Sequence, residues 1–419
     1  MTKKVQESYD SFLNGDGGMT RNDLTPRYAV IQFFFWVCFA GIVAFSSVYL
    51  LDRGLTNTEI GLMIAVSGAL AALLQPLMGV VMDRFPHLTG PGLLARFFGL
   101  LVADTLVLIL FPRLSLLWTA LFYGLTVTVA QLCQSLLNVI GVDSMSHGNT
   151  LNFNTARAIG SLGYAAAAWG IGEMAAKLPL FTVPLTVAVS AGIVAVMAAS
   201  YPLKGTDKDK QEKIARESTG PVAFLKEYPV FLILLPALIM IYFGHSVLNT
   251  FTLQIVQRFG AGSAEMGTAT AIAAVCELVT VLCFGLFRKR FRINVLLCFS
   301  GIAFTLKAIL SAMARSVIAF NLVQMCQMLA WGIMCVAIVY YVNETIPKKD
   351  RAKGQTYAGM TLTAANVLSA VIGGRMIDVS GIGSLIWVGI LVSACGSILM
   401  ILAMTRNSRE INSAEEEAE

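Results

Sequence analysis

Residues 202–228 read PLKGTDKDKQEKIARESTGPVAFLKEY, and this stretch decides the fold. It holds six basic and five acidic side chains, between two long and mostly apolar parts of the chain. Across the 419 residues, 56% are hydrophobic and only 13% are charged. Soluble domains carry about 25% charged residues, so this chain has too little charge to cover a soluble surface. That arithmetic excludes a soluble enzyme, a disordered chain and a nucleic-acid binder. The net charge of +5 is therefore not read as a nucleic-acid footprint, and membrane lipid is the expected surrounding.

A helix that crosses a bilayer needs about 20 mostly apolar residues. Six such runs precede the charged stretch, at about 28–51, 59–82, 92–111, 114–140, 156–176 and 181–201. Six follow it, at about 229–257, 267–287, 292–313, 317–343, 355–377 and 383–404. The first run follows a polar segment ending at Arg27 and lacks a cleavage-like end, so it is not read as a signal peptide. With the N-terminus placed inside, 22 of the 30 Lys and Arg fall on the inner side and six on the outer side. This asymmetry follows the positive-inside rule and predicts a multi-pass protein of the cytoplasmic membrane with both termini cytoplasmic.

The expected fold class is an all-α membrane protein of twelve transmembrane helices in two six-helix bundles. The expected parts are a tail at 1–27, a bundle at 28–201, a linker at 202–228, a second bundle at 229–404 and a tail at 405–419. Six spans plus six around a charged loop is the plan of a two-bundle secondary transporter. Eight cysteines lie inside apolar runs with no CxxC pair and no Cys/His cluster, so no disulfide, metal or cofactor is expected. No phosphate loop, zinc-binding helix or nucleophile elbow is present, which argues against an enzyme. A membrane sensor would need a soluble output domain, and the longest inner segment is too short for one.

Charge inside a span costs about 2.5–3.5 kcal/mol per residue on insertion scales, so each such residue is a functional candidate. Asp104, Asp143, Arg157, Glu277 and Lys307 stand out. Arg157 opens the run Arg157-Ala-Ile-Gly160-Ser161-Leu-Gly163-Tyr164. Gly160, Ser161 and Tyr164 follow at helical spacing, so they share the face of the arginine. A guanidinium fork binds hydroxyls or a carboxylate at two points, an opposing carboxylate accepts hydroxyl protons, and an aromatic ring offers an apolar platform. The plainer reading is an Asp143–Arg157 pair that only closes an inner loop. Polar stripes at His245, Asn249 and Thr252, at Gln324, Gln327 and Trp331, and at Gln131, Gln134 and Asn138 fit a hydrogen-bonding cavity or, more simply, contacts between helices.

Gly79-Val-Val-Met-Asp83-Arg84 ends the second span on its inner side. It resembles the G-x-x-x-D-R/K loop of the major facilitator superfamily, which implies a gating role for Gly79, Asp83 and Arg84. The second half reads Gly285-Leu-Phe-Arg288-Lys289-Arg290 at the equivalent place, without the acid. Within the superfamily the chain is most similar to the lactose permease group of oligosaccharide–proton symporters. The arginine and aromatic of that group's fifth span match Arg157 and Tyr164, and its acid matches Asp143 if the loop is shorter here. Leu74-Gln75-Pro76-Leu77-Met78-Gly79 and Cys276-Glu277-Leu278 also resemble runs of that group, and Lys307 stands where it has an arginine.

The chain departs from the group in two spans that carry its coupling charges. Span ten has no charged residue and span seven has no acid. Glu277, with Lys307 as partner, is left as the candidate proton-coupling group, and His245 is a second. The expected function is alternating-access transport of a small polar solute, foremost a disaccharide or glycoside, with proton symport. Asp143, Arg157, Tyr164, His245, Asn249, Glu277, Gln324, Gln327 and Trp331 are the expected substrate-binding residues. The expected partners are the solute, protons and lipid, with the protein acting as a monomer. The alternatives are a nucleoside or aromatic-acid transporter of the same superfamily, or an uncoupled uniporter. Asp104, in the third span, is expected to be structural.

Overall fold

The computed structural model of the protein describes residues 23–85, 88–146, 150–202, 221–347 and 349–416. Residues 1–22 of the expected tail, 203–220 of the expected linker and 417–419 of the expected C-terminal tail lie outside the described residues. The described residues are almost wholly helical. Helix α1 (Thr25–Phe39) runs through a π-helical turn at Ala40–Ala44 into α2 (Ser46–Asp52). Next come α3 (Asn57–Arg84), α4 (Gly90–Leu110), α5 (Leu116–Ser146), α6 (Phe153–Lys177) and α7 (Thr182–Ala199). After α8 (Pro221–Glu227) follow α9 (Val230–Thr250), α10 (Thr252–Gln257), α11 (Ser263–Arg290) and α12 (Ile293–Met313). Helices α13 (Val317–Gln324) and α14 (Trp331–Thr345) are joined through a 3₁₀ turn, and α15 (Arg351–Glu416) ends the chain.

Local chemistry sets several of these ends. Thr56 and Glu59 form a reciprocal capping box at the start of α3, which satisfies two of the N–H groups that a helix start leaves without partners. The Asn152 side chain accepts from Thr155 N at the start of α6.

Among the described residues, ten helical segments are long and apolar enough to cross a membrane. The sequence predicted twelve runs, and the difference has local causes. Helix α6 coincides with the run at 156–176 but is rich in Gly and Ala, with Arg157 and Glu173 at its ends, and it is not one of the ten. The runs at 355–377 and 383–404 both fall on α15, a helix of 66 residues broken only at Gly381, where φ is 77°. A side chain is strained at that φ, so glycine marks the break.

Buried apolar residues collect in three clusters. One draws only on residues from Leu24 to Tyr201, a second only on residues from Phe224 to Met404. The third mixes both parts of the chain, for example Phe45 and Ile171 with Leu253 and Met266. Large apolar side chains such as Leu73, Val196, Leu282 and Ile318 are exposed. In a membrane protein such faces meet lipid, because hydrocarbon solvates them as well as a core does.

Candidate functional site

Arg157 lies in the first turns of α6 and is partly exposed. Its guanidinium carbon sits 4.3 Å above the centre of the Trp36 ring of α1, and Nη1 donates to Ser161 Oγ at 3.4 Å. Gly160 makes this approach possible, since a Cβ there would lie 2.5 Å from Trp36 Cδ1. Tyr164 meets the same indole edge-on, with ring centres 6.2 Å apart. Arg157, Ser161 and Tyr164 therefore share one face, as their spacing predicted. Trp36 joins them from a helix that the sequence reading had not used. Its signal was present as Tyr28, Gln32 and Trp36 at four-residue intervals, but an aromatic stripe in a first span reads first as packing.

The opposing groups come from the second part of the chain. Glu277 of α11 lies within electrostatic reach of Arg157 and of Lys307. Both cations, Arg157 as well as the Lys307 expected from the sequence, act on Glu277. Lys307 of α12 is fully buried and donates from Nζ to Gln327 Oε1 at 2.6 Å. Asp143 lies partly buried near the C-terminal end of α5, and Glu277 is a carboxylate that acts on Arg157.

Trp331 begins α14 immediately after a break in the helical path. Met325–Met328 forms a 3₁₀ turn, and Ala330 has φ −81° and ψ −89°. Neither proline nor glycine lies between Gln324 and Ala330. Groups of α12 support the break: Ser300 Oγ donates to the Ala330 carbonyl at 2.6 Å, and Lys307 binds the Gln327 side chain. Interrupted helices at mid-span commonly mark binding sites in transporters, because they bring backbone groups and side chains to a cavity. Beside the break, the His245 ring stacks on Trp331 with centres 5.0 Å apart and planes 8° apart. Asn249 Nδ2 donates to His245 Nε2 at 2.8 Å, so α9 presents Asn249 while His245 is buried behind it. Gln324 is buried and donates to the Phe320 carbonyl.

Asp104 is buried and accepts a hydrogen bond from Thr126 of α5, which links α4 to α5. At the end expected to face inward, Gly79 has open space where a Cβ would stand, and the Arg84 guanidinium lies 5.9 Å from the Phe85 ring centre. The Asp83 side chain lies outside the described residues. At Gly285–Arg290 the acid missing from the sequence is supplied by another helix, with Glu344 of α14 binding Arg288 at 2.7 Å.

The two parts of the chain also meet at the end expected to face outward. Asp378 of α15 accepts from Asn57 Nδ2 at 2.8 Å and from Thr58 N at 2.7 Å, so it caps the start of α3 from a distant part of the chain. Gln254 Nε2 of α10 donates to Asn57 Oδ1 at 2.8 Å. Glycines set the distance. A Cβ on Gly61 would strike the Ala370 carbonyl, and one on Gly374 the Asn57 carbonyl. On the other side, Gly172 of α6 and Gly267 of α11 are in backbone contact, and a Cβ on Gly267 would strike the Ala168 carbonyl. Among the described residues, no group of three His, Cys, Asp or Glu could hold a metal ion.

Comparison with known proteins places this geometry in context. Residues 26–387 match the family described as MFS_1 like family. No curated protein sequence matches the chain. The crystal structure of the nucleoside transporter NupG is similar at a TM-score of 0.75 and 15% identity, covering 91% of this chain and 98% of that one. A bacterial homolog of the human lysosomal transporter Spinster, in an inward-facing and unoccupied conformation, is similar at 0.63 and 14%, covering 90% and 96%. At such identities the likeness is one of fold.

Proposed function

We infer that the chain, which belongs to the MFS_1 like family of membrane transporters, carries a neutral polyhydroxylated solute across the cytoplasmic membrane by alternating access. The fold would be twelve spans in two six-helix bundles, with α6 as the fifth span and α15 supplying the last two across Gly381. Both termini would lie inside, and the protein would work as a monomer. Separate buried clusters for residues 24–201 and 224–404 support the division into two bundles.

The observation that carries this reading is the cluster of Arg157, Ser161, Trp36 and Tyr164, with the Glu277 carboxylate of the second part of the chain within electrostatic reach of the guanidinium. The guanidinium offers only donors and the carboxylate offers acceptors. A solute between them must accept on one side and donate on the other, which neighbouring hydroxyls do. The aromatic rings suit the apolar face of a sugar or a base. Glu277 also offsets the positive charge of Arg157, and this disfavours an anionic solute such as an aromatic acid. A disaccharide or glycoside is the first reading. A nucleoside is the second, favoured by the shared fold with NupG and by the aromatic pair His245 and Trp331. Counterflow in proteoliposomes with lactose, sucrose, uridine and benzoate tests it, and exchange of benzoate alone would overturn it.

Proton symport rests on Glu277, a carboxylate able to change charge as the solute and Lys307 move around it. Glu277→Gln is an isostere that cannot release a proton. It should keep counterflow within about tenfold of the wild type, because a neutral hydrogen bond replaces a charged one at a cost of about 1 kcal/mol, and lose accumulation driven by an imposed pH gradient. Gradient-driven accumulation at the wild-type level in this variant would remove Glu277 from coupling. Accumulation in the wild type that ignores the gradient would leave uniport.

A further inference from the structure

We propose that Trp36 is a positioning residue of the transport site, holding Arg157 by its face so that its N–H edge stays free for solute. The proposal rests on the reading of Arg157 as a binding group and names what orients it. A guanidinium is planar, and its donors lie in that plane. A carboxylate partner would occupy the fork. An aromatic ring stabilises the cation through the π face and takes none of the donors. The guanidinium carbon of Arg157 lies 4.3 Å over the Trp36 ring, and its bond to Ser161 is long, at 3.4 Å.

The ring itself is locked. Trp36 Nε1 donates to Gln32 Oε1 at 3.0 Å, Gln32 Nε2 donates to the Tyr28 hydroxyl at 2.9 Å, and that hydroxyl donates to the Leu137 carbonyl of α5 at 2.8 Å. Tyr28 and Gln32 are fully buried, so water does not compete for the bond between them, and this fixed pair holds the half-buried indole in place. Gly160 leaves space only for the indole, and Tyr164 closes its edge. Helices α1, α5 and α6 thus converge on one ring whose open face carries the arginine. The consequence is selective. A fork held flat recognises two oxygens side by side in its own plane, as in a vicinal diol, better than a single acceptor.

The test uses the full chain in proteoliposomes, with Trp36→Leu, Trp36→Phe and Gln32→Leu. Two readouts are taken: the half-saturation concentration for counterflow of whichever of lactose or uridine is exchanged, and the rate at which phenylglyoxal labels Arg157, followed by peptide mass spectrometry. Trp36→Leu should raise half-saturation about tenfold with the maximal rate within about twofold, and Arg157 should label several times faster. Trp36→Phe, which keeps a π face, should recover most of both. Gln32→Leu, which keeps the indole and frees its rotation, should shift both in the same direction by less. Unchanged labelling of Arg157 in Trp36→Leu and Gln32→Leu overturns the proposal, as does a phenylalanine variant no better than the leucine one. Labelling is read without solute. Faster labelling in Trp36→Leu together with a silent Arg157→Lys would uphold the positioning and reject Arg157 as a solute ligand.

Discussion

Arg157→Lys is expected to lower counterflow of every solute the protein carries by about 10- to 100-fold. A lysine keeps the charge and loses the planar fork, so two-point bonding becomes single-point bonding. Hydrogen bonds to charged groups contribute about 1.5–3 kcal/mol, and each 1.4 kcal/mol is about tenfold in affinity. Lysine also forfeits the flat stack on Trp36, which lies 4.3 Å below the guanidinium carbon. The loss should fall on half-saturation more than on maximal rate. Counterflow of lactose, sucrose and uridine all at the wild-type level would remove Arg157 from the site.

The second large effect is expected at the outward end. Gly374→Val and Gly267→Val should each lower net uptake by about 5- to 150-fold while solute still binds from outside. The obstacle in both cases is a backbone carbonyl, that of Asn57 for Gly374 and that of Ala168 for Gly267, and a carbonyl cannot turn aside as a flexible side chain would. Overpacking of this kind costs about 1–3 kcal/mol, which lowers the population closed at that end by about 5- to 150-fold. Initial uptake compared with equilibrium binding in right-side-out vesicles separates the two steps, and uptake at the wild-type rate in both variants would refute the claim. Asp378→Ala removes bonds at an exposed rim and should lower uptake by less than about tenfold.

The contrast between these two predictions shows how far the sequence could be read. Arg157 and its companions Ser161 and Tyr164 lie on one helix, so their spacing alone placed them on one face. Glu277 was equally visible, because a lone carboxylate in an apolar run is costly and therefore conspicuous. The glycines at 61, 172, 267 and 374 carry no such signal. Their importance depends on which helices cross and where, and thirty-six glycines in the chain offer many pairings. The break between α13 and α14 was also silent, since it lacks proline and glycine and is supported by Ser300 and Lys307 from a neighbouring helix. The acid that completes the charged end of α11 was sought near Gly285 and arrives instead from Glu344, 56 residues beyond Arg288.

By itself, the sequence determined that this chain lives in a membrane, where most of its long apolar helices lie and which few charges they carry. Those properties follow from composition and from periodicity along one helix, where neighbours are set by the covalent chain. Only the tertiary structure decided the partners. It brought Arg157 and Lys307 within electrostatic reach of Glu277, stacked the guanidinium on Trp36, and closed one end with Asp378 and four glycines. In lipid, apolar faces hardly discriminate among one another, and packing together with a few polar bonds chooses which helices meet. That choice depends on the whole assembly of helices and is not carried by any one of them.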